Sequence, residues 1–147
     1  MKFRHIFWTC LLAAFVPAVS VTQEQSKAGA VKLPVLHSKA YRAEDLTAKP
    51  DHGIQRTGVF DGITTRGERI GLHMSELGPG STPSPAHVHR NEEIVMIREG
   101  TLEVTINGVP TTMGPGSVAY VQADDSYGLK LVGTTPAKYI VIALGDR

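Results

Sequence analysis

The sequence predicts an all-β domain of short antiparallel strands that follows an N-terminal extension. Two observations lead to this fold class. First, 14 of the 15 Gly and 6 of the 9 Pro fall at or after position 53, and so many helix breakers exclude a helical bundle. Second, short apolar runs alternate with Gly- and Pro-containing turns over the same region, which is typical of an antiparallel barrel or sandwich.

Length and charge restrict the function classes further. The chain has 147 residues, which suits one domain. Its 15 Lys and Arg oppose 14 Asp and Glu, and a net charge of +1 argues against nucleic-acid binding, which needs a strong basic excess. An apolar fraction of 41% is enough to build a core and argues against wholesale disorder.

The first 20 residues have the pattern of a targeting signal rather than of a part of the folded domain. Lys2 and Arg4 precede an apolar run over 6–16, which is too short to span a membrane as a helix, since a span needs about 20 residues. With the small residues of Ala18-Val19-Ser20 this pattern predicts a secretory signal peptide over 1–20. We expect cleavage after Ser20, with a cut after Ala18 as the alternative, and hence a secreted or periplasmic protein without a membrane span.

Cleavage changes the composition of the chain. Loss of Lys2, Arg4 and Cys10 leaves 13 basic and 14 acidic residues, a net charge of −1, and no cysteine. The mature chain therefore forms no disulfide and no Cys-ligated zinc site. Residues 21–55 form a polar arm, in which an apolar stretch around Val35 predicts one strand, interrupted by Pro34.

The β domain is predicted over 56–147, and its strands are assigned in chain order. Strands are predicted at Arg69–Leu77, Ile94–Ile97, Leu102–Ile106, Val118–Val121 and Tyr139–Leu144. The breakers between them are Gly78-Pro79-Gly80, a loop at Ser81–Pro85, Asn107-Gly108 and Gly114-Pro115-Gly116. Asn107-Gly108 predicts a type I′ hairpin, because both central residues of that turn need a positive φ. No helix is predicted beyond Arg56.

Chemistry is carried by His87-Val88-His89 and Glu93. On a strand, residues two apart share a face, so His87 and His89 present two imidazoles side by side. Glu93 lies four positions beyond His89 and joins that face if the intervening bend preserves direction. Two imidazoles and one carboxylate are the donors of a facial triad, which suits Fe, Mn or Zn. The alternative is an exposed His pair with a surface Glu, because His-x-His is short and common.

These residues stand in a longer pattern that resembles the first motif of the cupin superfamily. That motif is a glycine, His-x-His, a glutamate and a further glycine, and the sequence matches it at His87, His89, Glu93 and Gly100. The loop from Gly80 to His87 is one residue longer than usual. The resemblance covers roughly residues 56–145 and implies an antiparallel jelly-roll (cupin) barrel. It also implies a site inside the barrel that holds a divalent metal ion or a small molecule.

The second cupin motif is degenerate. Gly116 fits its first position, but Gln122 and Asp124 stand where a proline and a glycine are expected. Tyr127 stands where the ligand histidine is expected, and Leu131 replaces an asparagine. The spacing of the motif is retained, so the expected fold is unchanged. The set of four metal ligands is incomplete, because the histidine is missing.

Tyr127 leaves three interpretations open. Its phenolate ligates a strong Lewis acid such as Fe(III), since a free phenol has a pKa of about 10. Alternatively, its hydroxyl serves as a hydrogen-bond donor or catalytic acid beside a metal held by three ligands. In the third interpretation it fills a pocket without metal. His73, which shares strand parity with Leu77, is a further candidate ligand if Leu77 faces inward.

Two function classes follow from this pattern. One is a metal-dependent enzyme of dioxygenase or isomerase type, with His87, His89 and Glu93 on the metal and Tyr127 as the acid. The other is a metal-free, non-catalytic cupin that binds a small ligand. The resemblance and the polar arm also predict a homodimer, in which residues 21–55 pair with a second copy.

Overall fold

The structure, a computed structural model, describes residues 32–51, 53–81 and 84–145. The predicted signal peptide over 1–20 and the first part of the arm lie outside these residues, as does His52. The described chain contains ten strands and one short 3-10 helix, Ala43–Asp45. The strands are β1 Lys49–Asp51, β2 Ile54–Ile63, β3 Arg69–Leu77, β4 Ser84–Val88, β5 Glu92–Glu99, β6 Leu102–Ile106, β7 Val109–Met113, β8 Val118–Val121, β9 Ser126–Leu131 and β10 Ala137–Leu144.

The ten strands form two antiparallel sheets. The larger sheet has the order β1-β2-β3-β10-β5-β8, and the smaller has the order β4-β9-β6-β7. One hydrophobic core joins them, since Val95 and Val141 of the larger sheet cluster with Val104 and Leu129 of the smaller sheet. The architecture is therefore all-β, with the two packed sheets of a jelly roll, and it confirms the predicted fold class.

Several predicted elements are found with the expected bounds. β3 and β6 begin and end where the hydrophobic pattern places them, and β5 extends the predicted run at Ile94–Ile97 in both directions. In the hairpin between β6 and β7, Asn107 has a φ of 48° and Gly108 a φ of 80°. This is the conformation that a type I′ turn requires.

Other elements differ from the sequence-based expectation. β4 begins at Ser84, inside the segment predicted as a loop, because Pro is tolerated at the edge of a sheet and β4 is an edge strand. The arm forms no strand around Val35 in the described residues, where Val35 makes only an isolated parallel bridge to Ile63. Ile63 donates its backbone N–H to Pro34 and accepts from Leu36, so this part of the arm packs on its own domain.

Candidate functional site

Four side chains predicted from the sequence come together where β4, β5 and β9 meet, with Glu93 and Tyr127 buried and His87 exposed. His87 lies on β4 and His89 follows its end, Glu93 lies on β5, and Tyr127 lies on β9. β4 pairs with β9 so that His87 is opposite Tyr127, and the two rings stack with centroids 5.9 Å apart. The His89 ring lies 5.3 Å from the Tyr127 ring. The spacing of His87, His89 and Glu93 therefore does assemble one cluster.

Glu93 lies near the histidines because the chain bends between the two sheets, and not because it continues the strand of His87 and His89. β4 belongs to the smaller sheet and β5 to the larger, so the chain bends between the sheets at Arg90 and Asn91. The carbonyl of His89 accepts the backbone N–H of Asp124 at 2.8 Å, which holds the bend against the loop before β9. The positive φ of 66° at Asp124 preserves the conformation of the glycine that the cupin motif has there.

The carboxylate of Glu93 is buried and accepts hydrogen bonds on both oxygens. The side chain is 8% exposed. Its Oε1 accepts from Nδ2 of Asn91 at 3.1 Å, and its Oε2 accepts from the hydroxyl of Tyr127. Nδ1 of His89 faces Oε1 at 3.5 Å. These partners replace the water that an ionised carboxylate loses on burial.

Tyr127 is a neutral hydrogen-bond donor in this arrangement. Burial raises the pKa of its phenol well above the usual value of 10, and the negative charge of Glu93 raises it further. The charge of Arg56 lowers this pKa only in part. At neutral pH the hydroxyl therefore keeps its proton and directs it at the Glu93 carboxylate.

The two imidazoles are oriented by the acceptors behind them. Nδ1 of His87 lies 2.8 Å from the carbonyl oxygen of Pro85. Because a carbonyl only accepts, Nδ1 carries the proton and Nε2 of His87 presents a lone pair. Nε2 of His89 lies 2.6 Å from this atom, while Nδ1 of His89 faces the carboxylate of Glu93. A carboxylate likewise favours a proton on the nitrogen that faces it.

The close approach of the two Nε2 atoms has two explanations. Atoms 2.6 Å apart either share a hydrogen bond, with the hydrogen on one of them, or converge on a metal ion that lies to one side of the line joining them. Histidine ligands of metals are commonly held from behind in the same way, with Nδ1–H donated to a carbonyl or a carboxylate. The donor chemistry of His87 and His89 therefore fits a divalent metal ion.

Only the Nε2 atoms of His87 and His89 are placed to bind a metal ion, and the other predicted ligands are not. Within 32–51, 53–81 and 84–145, no group of three or more His, Cys, Asp or Glu side chains is arranged to hold a metal ion. Glu93 faces Nδ1 of His89 and not Nε2. Tyr127 directs its hydroxyl at Glu93 and not at the imidazole pair.

His73 occupies the inner face of β3 but contacts a different partner. Its Nδ1 lies 3.1 Å from Nη2 of Arg56. The predicted parity with Leu77 is confirmed to the extent that Leu77 and Ser75 are both buried on that face, at 2% and 4% exposed. His73 thus lies on the same face of β3 as Ser75 and Leu77, and its side chain is joined to Arg56 on β2.

Sequence reasoning missed three polar residues of this interior. Asn91 is 2% exposed and binds Glu93; a polar residue in a bend beside two predicted ligands is the signal that identifies it. Tyr139 is 6% exposed, whereas the sequence pattern predicts only that it lies on a strand. Arg56 lies at the start of the predicted domain and carries no local motif, so its approach to His73 comes from strand pairing alone.

Comparisons with known proteins relate this chain to a known family. Residues 73–143 match the family model of the Cupin domain. No curated protein matches the chain by sequence. Many solved structures do match, and they agree in architecture while differing in what they do.

Three of the similar structures illustrate this range. An RmlC-like cupin from Shewanella frigidimarina is 17% identical over 76% of this chain and 94% of its own, with a TM-score of 0.63. A polyketide cyclase from Streptomyces resistomycificus is 19% identical over 76% and 82%, with a TM-score of 0.62. A predicted oxalate decarboxylase from Thermotoga maritima is 15% identical over 74% and 100%, also with a TM-score of 0.62. At these identities the likeness establishes the fold and no activity.

Proposed function

We propose that this chain, of which residues 73–143 match the Cupin domain, is a small-molecule-binding cupin that holds a divalent metal ion on His87 and His89. The observation that carries the proposal is the approach of the two Nε2 atoms to 2.6 Å, with both Nδ1 atoms directed at oxygen acceptors. Imidazole nitrogens suit Fe, Mn and Zn. Cupins commonly bind divalent metals, which agrees with this donor set.

The remaining residues of the cluster have distinct roles in this proposal. Glu93 faces Nδ1 of His89 at 3.5 Å and so favours the tautomer in which Nε2 of His89 presents a lone pair. Tyr127 keeps its own proton, donates it in a hydrogen bond to Glu93 and so holds this carboxylate in place beside the histidines. A metal at this position supplies Lewis-acid polarisation of a ligand oxygen. Direct ligation by Glu93, Tyr127 or His73 stays a prediction.

Elemental analysis of the purified mature protein tests the proposal. We expect a divalent metal to copurify and to be lost in His87→Ala. His37→Ala is the matched control, because His37 is an exposed arm residue, and this variant is expected to keep the metal. Absence of metal from the unmutated protein, even after supplementation with Fe, Mn, Zn, Ni and Cu, contradicts the proposal.

A metal-free ligand-binding cupin is the second candidate, and the Tyr127–Glu93 hydrogen bond favours it. This bond engages Oε2 of Glu93, and Asn91 and His89 lie against Oε1. Neither oxygen of Glu93 is therefore directed at a metal position between the histidines. In that case a hydrogen bond between the two Nε2 atoms joins the imidazoles. The same elemental analysis separates the two candidates.

Export and dimerisation complete the proposal and rest on sequence patterns. No helix in the part of the chain that the structure describes is long and apolar enough to cross a membrane. The signal pattern over 1–20 supports a secreted or periplasmic protein. Pairing of the arm with a second copy stays a prediction, since Val35 and its neighbours contact the chain's own Ile63.

A further inference from the structure

The outward side of the larger sheet is apolar in its middle, and we call this surface the outer apolar face. Along β5, Val95 and Ile97 are buried in the core, so Ile94 and Met96 between them point away from the core. Strand register extends this outward side over β10 and β8 in two rows. The rows of the outer apolar face are Ile142, Ile94 and Tyr120, and Ile140, Met96 and Val118.

The side chains of the outer apolar face are accessible to solvent. Val118 and Tyr120 are 57% and 56% exposed, and the four residues on β5 and β10 are half-buried. Within the part of the chain that the structure describes, none of the six belongs to the hydrophobic core or packs against it. The next strand, β3, continues the rows with Leu72 and Met74. The apolar surface therefore crosses four neighbouring strands.

The outward side of the smaller sheet is polar by contrast. Along β6 the outward residues are Glu103 and Thr105, since Leu102 and Val104 are buried. Lys130 lies opposite Glu103, and the two side chains form an ion pair at 3.7 Å. An antiparallel sheet with one face in water normally has polar residues on that face. The larger sheet departs from this rule, and a contiguous exposed apolar surface marks an interaction site.

The N-terminal arm is poorly suited to cover the outer apolar face. Where the structure describes the arm, Val35 contacts Ile63 and Tyr41 contacts Phe60, both on β2. β3 separates β2 from the strands of the face. Residues 22–30 read Thr-Gln-Glu-Gln-Ser-Lys-Ala-Gly-Ala and offer no large apolar side chain for burial. An apolar partner outside this arm is therefore required.

The charges on β5 make the surface complementary to itself. Glu92 precedes the two apolar residues of β5 and Arg98 follows them, on the same outward side. Among the described residues, neither side chain takes part in an ion pair. Glu92 has a hydrogen-bond neighbour in Tyr120, a member of the face. Glu99, beside Arg98, already pairs with Lys138 at 2.9 Å. One negative and one positive charge thus remain at opposite ends of the apolar rows.

Two copies of this surface match when a two-fold axis lies in the interface and crosses the strands. Each β5 then runs antiparallel over the β5 of the other copy, so that each Glu92 faces Arg98 of the partner subunit. Such an arrangement uses the same surface twice. Stacked sheets lie about 10 Å apart, a gap that the long side chains of Glu and Arg span. The result is an apolar centre with a charged rim, as in stable interfaces.

We propose that the outer apolar face binds a second copy of this chain and forms a two-fold symmetric dimer. The inference goes beyond the proposed metal and ligand binding, because Glu93 lies on the inner side of β5 and the histidine cluster is not part of the interface. It also gives the dimer a different surface from the predicted pairing of the arms. The dimer is held by burial of the apolar rows and aligned by the two Glu92–Arg98 pairs.

Sedimentation velocity of the purified full mature protein over a range of micromolar concentrations tests the proposal. The unmutated protein is expected to sediment as a dimer. Met96→Lys is expected to raise the dissociation constant about tenfold or more, because it places a charge among the apolar rows. Thr105→Lys is the matched control on the polar side of the smaller sheet, and Val35→Lys tests the arm; both are expected to leave the dimer unchanged.

An exchange of charges tests the alignment of the two copies. Glu92→Arg and Arg98→Glu are each expected to weaken the dimer about tenfold, since like charges then face each other. The double variant is expected to restore it, because the pair is re-formed with reversed sign. Circular dichroism identifies an unfolded variant, and if Met96→Lys unfolds, the charge exchange decides the result.

Three outcomes overturn the proposal. They are a monomeric unmutated protein, a dimer that survives in folded Met96→Lys or dissociates in Val35→Lys, and a double charge variant that is no tighter than the single ones. Elemental analysis of Met96→Lys is expected to find the same metal content as in the unmutated protein. Failure of this inference and failure of the metal proposal are therefore distinguishable.

Discussion

At the scale of single residues, the substitution of tyrosine for a histidine at position 127 shapes the candidate site. A histidine there would offer a neutral nitrogen to a metal, whereas the buried phenol keeps its proton and donates it to Glu93. The substitution therefore replaces a potential metal ligand by a hydrogen-bond donor. His87 and His89 therefore remain the two side chains whose nitrogen atoms approach each other.

Tyr127→His is expected to restore a third nitrogen ligand and to raise divalent metal affinity by about tenfold or more. Removal of the phenol also releases Oε2 of Glu93. Competition with a metallochromic chelator measures the affinity. Tyr41→His is the matched control, because Tyr41 belongs to the arm and packs on Phe60, and its affinity is expected to equal that of the unmutated protein. An unchanged affinity in Tyr127→His contradicts a site at position 127.

At the scale of elements, the turns determine where the strands begin and end. Gly100 joins β5 to β6 with a φ of 70°. A Cβ at this position would lie 2.4 Å from the carbonyl oxygen of Pro136 and 2.7 Å from Cα of Ala137. The glycine that closes the first cupin motif thus has a structural reason, since it lets the β5–β6 turn touch the start of β10.

Gly100→Ala is expected to destabilise the protein by about 3 kcal/mol, because it combines an unfavourable φ with a backbone clash. Gly116→Ala separates the two causes. Gly116 has a φ of 87° but no atom within 4 Å of its Cβ position, so the expected loss is about 1 kcal/mol. Urea denaturation at equilibrium measures both losses. Equal destabilisation of the two variants would show that the contact with Pro136 contributes nothing.

At the scale of the whole molecule, two sheets enclose polar side chains within an apolar core. Tyr127 of the smaller sheet and Tyr139 of the larger are both buried, and burial is the first cause of the raised pKa of each. Their ionisation is therefore coupled to global unfolding. The unfolded chain loses these protons near the usual pKa of 10.

The free energy of unfolding is expected to be insensitive to these phenols below pH 10 and to fall as the pH rises above it. The unfolded state binds fewer protons there, so each buried tyrosine contributes a loss of about 1.4 kcal/mol per pH unit until its folded pKa is reached. Denaturation at a series of pH values measures the slope. The double variant Tyr127→Phe and Tyr139→Phe is expected to have a shallower slope; an identical slope contradicts the assignment.

How far the sequence reaches depends on the range of each interaction. β3, β6 and the Asn107-Gly108 hairpin were predictable, because alternation and turn chemistry act within a few residues. His87, His89 and Glu93 were predictable as a cluster from one short motif. The start of β4 at Ser84 was not, since strand propensity at a proline-rich edge depends on pairing with β9.

The sequence by itself determined the all-β class, the cupin resemblance, the histidine pair and the departure at Tyr127. Only the tertiary structure decided which atoms these residues direct at one another. Strand register brought Arg56 and Tyr139 to either side of Ser75, and the bend between the sheets put Glu93 behind His89 rather than beside both imidazoles. The reason is physical: local patterns define which face a side chain takes, whereas hydrogen-bond partners across sheets are set by packing between segments distant in the chain.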